Sequence, residues 1–84
     1  MQLRMTQHAV RRMAQWGITV DEIQVAVATG HVVEQYRDDT PYPSRLLVAI
    51  FADRRMYVVV TEDPGARVTI IVTAYVVPFE GRTG

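Results

Sequence analysis

Two histidines, nine arginines and four tyrosines are the side chains of this 84-residue chain best suited to moving a proton or holding an anion. His8 stands three and four residues ahead of Arg11 and Arg12, one turn away if the segment is helical. Histidine titrates near pH 6.5, which suits it to general-base work at neutral pH. An arginine fork holds two phosphate oxygens at once. Opening a phosphate ester without a metal needs such parts: a base for the attacking hydroxyl, an acid for the leaving oxygen and a cation for the phosphate. The plainer reading is a solvated histidine on a helix face. Arg12 would then pin Glu34 or the acidic loop, and Arg4 and Arg11 would be surface charges.

Three further groups have chemical potential. Glu34, Tyr36 and the pair Asp38-Asp39 form an acidic edge, with Glu34 and Tyr36 on one strand face. Carboxylates so placed act as base or electrostatic partner, or simply anchor arginines. Tyr42 and Arg45 flank a loop stiffened by Pro41 and Pro43. They are able to stack a base and hold a phosphate, or to cap the core edge. Near the end of the last strand, Thr73 and Tyr75 share a face with Ile71 if the strand is regular. The Tyr75 hydroxyl is a candidate acid or phosphate donor, although buried tyrosine hydroxyls usually serve structure. His31 and Glu34 form a lone H-x-x-E with no third ligand, so no metal site and no cofactor are expected.

These residues need elements to position them. Met5, Ala9, Met13 and Trp16 recur at helical spacing and predict a helix over 6–16, with Thr6 as N-cap and Gly17 in the left-handed C-terminal position. Arg4, His8, Arg11 and Gln15 fall on its polar side, with Arg12 at the border. Thr19-Val20-Asp21-Glu22 reads as a capping box for a second helix over 20–29, ended by Gly30. The short connection makes the pair an αα-hairpin. Thereafter β-branched and aromatic residues predict strands over 32–36, 45–52, 56–61 and 67–76, joined by turns. The runs VVV and VTIIVTAYVV lack alternation, which suggests strands covered on both faces. The expected fold is α+β, an N-terminal αα-hairpin packed on a four-stranded antiparallel sheet, in one domain over 1–84 with a frayed tail from 78.

Charge and composition narrow the function classes. The formal net charge is zero, so the chain is not a broadly basic nucleic-acid binder, though a local basic patch is allowed. Every cation is an arginine, and there is no cysteine for a disulfide or a thiolate zinc site. No apolar run approaches the roughly 20 residues of a membrane helix, and the first residues lack the apolar core of a signal peptide. A cytoplasmic protein without a membrane partner is expected.

The ordered motifs HAVRRM, GIT, VVEQYRDDTPYPSRLLVA, MYVVV and IIVTAY resemble the small bacterial family called domain of unknown function 4258, over about residues 6 to 78. The resemblance implies a compact fold similar to the barnase–colicin–RelE-like ribonuclease toxins, RNA as substrate and a labile antitoxin as partner. It assigns His8 and Arg12 to the family's HA and RM motifs. Two positions depart from the family pattern: Trp16 stands where an Arg is usual, and Tyr57 where a His is frequent. The expected function is a small toxin-like endoribonuclease with His8, Arg12, Tyr75 and Glu34 in the catalytic centre, and Arg45, Tyr42, Arg11 and Tyr57 binding RNA. The alternatives are a catalytically degenerate RNA- or protein-binding module and a homodimer formed through an exposed strand edge.

Overall fold

A computed structural model describes residues 2–39 and 42–79. Thr40, Pro41 and the tail from 80 lie outside the described residues, and with them the stiffening role of Pro41 and most of the expected fraying. The elements run β1 (Gln2–Met5), α1 (Gln7–Trp16), α2 (Val20–Thr29), β2 (His31–Tyr36), β3 (Ser44–Ile50), β4 (Arg54–Asp63) and β5 (Val68–Pro78). The α+β class with two N-terminal helices is as expected, but the helices do not pair as an αα-hairpin: α1 packs on β5 and α2 on β3 and β4, side by side on the sheet without packing against each other. The sheet differs too. It has five strands in the order β1-β5-β4-β3-β2, and β1 pairs parallel to β5, so the sheet is mixed.

β1 escaped sequence reading because it is four residues long and its Met5 is in phase with the helix that follows. Thr6 separates the two. Its backbone is extended (φ −69°, ψ 161°), and its hydroxyl accepts from Ala9 N as the N-cap of α1. Met5 is therefore a half-buried strand residue, not part of the helix face. α1 ends as anticipated, with Gly17 in the left-handed region at φ 68°. A non-glycine residue would be strained there. α2 begins with the full capping box between Thr19 and Glu22.

Both helices lie on one face of the sheet. Ala9, Met13, Ile18, Ile23 and Ala26 pack against Leu47, Ala49, Met56, Val58, Val60, Ile71, Ala74 and Val76. The central strands are thus covered on one side only, contrary to the reading of their apolar runs. In β4 the alternation is plain: Met56, Val58 and Val60 are buried, and Tyr57 and Val59 are half-buried on the open face. In β5 it is hidden by a bulge. The β4–β5 register shifts between Val59 and Val60, which pair with Thr73 and Ile71, so Val72 is the extra residue. The bulge flips the phase. Ile71 and Ala74 are core residues, while Thr73 and Tyr75 face the open side. Ile71 therefore does not share a face with Tyr75, and Ile70 and Val72 are half-buried instead of central.

Two turns also differ from expectation. Phe51 N donates to Arg54 O at 2.9 Å, so the β3–β4 turn centres on Ala52-Asp53 and Arg54 and Arg55 belong to β4. Arg67 is in the turn before β5, at φ 56°, and its N–H donates to Asp63 O.

Candidate functional site

α1 crosses beside β5 where β1 has ended. β1 covers only Val68–Ile71 of β5, which leaves the following stretch of β5 to be flanked by the helix. Met13 and Ala9 point into the core. The neighbouring stripe on the helix, His8, Arg12 and Trp16, then borders β5 at Thr73, Ala74 and Tyr75. These six residues line a cleft of about 270 Å³. Three of the four expected catalytic residues, His8, Arg12 and Tyr75, meet here. The bulge at Val72 makes this possible, because it turns Thr73 and Tyr75 away from the core.

The cations of the site differ in how they are spent. The Arg12 guanidinium donates to Gln15 Oε1 at 2.9 Å. Among the described residues it has no carboxylate within ion-pair distance, and its charge remains available to an anion. Arg45, by contrast, faces Glu62 at 3.4 Å. Arg54 is engaged by Glu22 and by Asp53 at 2.9 Å. Those two carboxylates hold its proton more tightly than usual. Glu22 in turn sits below the ordinary glutamate range, first through the Thr19 N–H and then through Arg54. That network ties the start of α2 to β4 and is structural.

Tyr75 is fixed by its neighbour across the ladder. Its ring stacks on Tyr57 with centroids 5.1 Å apart and planes 13° from parallel. Tyr57 is thus one ring away from the cleft. It extends an aromatic strip onto the open face of the sheet.

The other expected site residues lie elsewhere. Glu34 is on β2 at the opposite sheet edge, in register with Leu46, then Val59, then Thr73. Three ladder spacings put it roughly 14 Å from Thr73. The Tyr36 hydroxyl donates to it at 3.4 Å. Partial burial, then the Glu34 charge and hydrogen bond, and after them the Tyr75 phenol across the open face, push the Tyr36 phenol above its ordinary range. Arg12 therefore does not pin Glu34. Arg11 is exposed on α1 and does not border the cleft. Tyr42 lines a separate hollow of about 300 Å³ on the open face with Asp39, Ser44, Val59 and Thr61. Asp39 accepts from Ser44 there, and Thr61 donates to Pro43 O at 2.6 Å, which closes the loop onto the sheet.

A further hollow, about 380 Å³, lies beside the β4–β5 turn. Its Asp63 is occupied with the N–H groups of Gly65 and Ala66. The residue that sequence reasoning missed is Trp16. It was assigned to the apolar face of α1, yet it is 41% exposed and forms one wall of the cleft. Its spacing, four residues beyond Arg12 and eight beyond His8, was the available signal.

Among the described residues no helix is long and apolar enough to cross a membrane. No curated protein and no solved structure matches the chain. One family model does match, over residues 5–76, a span that holds both helices and the whole cleft. On that match the chain belongs to the family described as a domain of unknown function (DUF4258).

Proposed function

We propose that the chain is a small metal-independent endoribonuclease of the toxin-like kind, acting on single-stranded RNA at the cleft between α1 and β5. The observation that carries this reading is the meeting of His8, Arg12 and Tyr75 in one cleft, with Arg12 not paired to a carboxylate among the described residues. His8 takes the proton of a ribose 2′-hydroxyl. The freed oxygen attacks phosphorus, the bond to the 5′-oxygen breaks, and the Tyr75 hydroxyl gives that oxygen its proton. Arg12 holds the non-bridging oxygens as charge builds on them. The product ends are a 2′,3′-cyclic phosphate and a 5′-hydroxyl. Kinship with RelE-like toxins, a cytoplasmic setting and an antitoxin partner go with this reading.

The alternative is a degenerate member that binds RNA without cutting it. It is favoured by the stacked Tyr57 and Tyr75 pair, in which a phenol ring stands where a histidine is frequent in the family pattern. Incubation of the purified chain with unstructured RNA in EDTA separates the two. Fragments with cyclic phosphate ends support cleavage. Intact RNA, with a cooperative melting transition proving the fold, overturns it in favour of binding.

A further inference from the structure

Trp16 is the single tryptophan of the chain, and 41% of it is exposed on a domain too small to leave such area open cheaply. It is not scattered on the surface. It closes one end of the cleft that holds His8 and Arg12. Along α1 the three side chains follow at four-residue steps, about 6 Å apart by the helical rise. That is close to the step from one phosphate to the next in a single strand, and to the reach from a phosphate to its own base. The cleft volume, about 270 Å³, is below the range of pockets that take drug-sized ligands. It suits one nucleotide.

We infer that Trp16 is a base-stacking platform: the indole takes the nucleobase of the nucleotide whose phosphate Arg12 holds. This rests on the RNA reading for its substrate class. It assigns Trp16 a specificity role, for unpaired nucleotides over duplex, because a base inside a helix has no free face to offer. His8 is then placed one step further along the backbone, at the reacting ribose.

Because there is only one tryptophan, its fluorescence reports the contact directly. Adenosine 5′-monophosphate should quench it saturably, and inorganic phosphate and ribose 5-phosphate should not. Arg12→Ala should raise the quenching midpoint at least about 5-fold, while His31→Ala, on β2 away from the cleft, should retain it. By equilibrium dialysis, Trp16→Ala should weaken nucleotide binding about 5- to 150-fold. Trp16→Phe, which keeps an aromatic face, should stay within about 5-fold of the wild type. No saturable quenching, equal quenching by ribose 5-phosphate, or unchanged nucleotide binding in a folded Trp16→Ala variant would each overturn the platform. Quenching in a chain that cuts no RNA would overturn the nuclease reading and keep the platform. Cutting without quenching would overturn the platform alone.

Discussion

Thr6 joins the helix that carries His8 and Arg12 to the strand that carries Tyr75, so its loss should be felt both in stability and at the cleft. Its hydroxyl accepts from Ala9 N at 3.0 Å and donates to Val72 O at 2.9 Å, while its own N–H donates to Ile71 O at 3.1 Å. The two hydroxyl bonds act on different things. The first satisfies an N–H at the start of α1, and its loss costs about 1 kcal/mol. The second satisfies the carbonyl of the bulged residue in β5, and its loss costs about 0.5–1.5 kcal/mol, with a further penalty if the carbonyl stays dry. Thr6→Val keeps the shape and the extended backbone but removes both bonds. The expected loss is about 1.5–3 kcal/mol, on a domain whose total is on the order of 4–13 kcal/mol. For a chain of this size that lowers Tm by roughly 6–24 °C. Thr6→Ser keeps both bonds and should shift Tm little. Thermal melts followed by circular dichroism read both variants. A Thr6→Val protein that melts with the wild type, or a Thr6→Ser protein that melts with Thr6→Val, would refute the claim that the hydroxyl clamps α1 to β5.

Met13→Ala should cost about 2–5 kcal/mol in denaturant unfolding, because Met13 is 7% exposed within the helix–sheet core. Glu22→Gln should destabilise the chain at neutral pH. Since the folded Glu22 carboxyl titrates below the ordinary glutamate range, its contribution is complete above that range and fades as pH falls through the lower folded value, so the gap between variant and wild type should close in acid. In binding to single-stranded RNA, Arg12→Ala should reduce the slope of log affinity against log salt by about 0.7. Arg45→Ala should reduce it less, because Arg45 already faces Glu62 at 3.4 Å.

Both helices were legible in the chain because their ends are marked chemically: Thr6 and Gly17 bracket one, and the Thr19–Glu22 box opens the other. β1 was not, since four residues alternating Gln, Leu, Arg and Met present no β-branched side chain and run straight into the phase of α1. The bulge at Val72 was hidden for a different reason. In a run such as VTIIVTAYVV every phase is apolar enough to pass, and the shift is set by pairing with β4, a tertiary fact. The candidate site was half legible. His8 and Arg12 declared themselves by one-turn spacing, and Tyr75 by its place near a strand end. Glu34 looked equally suitable as a residue type, but strand order sends β2 to the far edge. Trp16 was misread because position 16 lies one turn from both Met13 and Arg12, and hydrophobicity alone favoured the first.

The measurement that bears most directly on the account is the cleavage of one unstructured RNA in EDTA by three proteins: wild type, His8→Ala and His31→Ala. His8 borders the cleft, whereas His31 opens β2 in register with Val48 at the other side of the sheet. Removing a general base costs about 10²–10⁴ in rate. The account predicts cyclic-phosphate products from the wild type, the same rate with His31→Ala, and a loss of that size with His8→Ala, with Tyr75→Phe in between. Full activity in a folded His8→Ala variant, or a loss as large with His31→Ala, would contradict it.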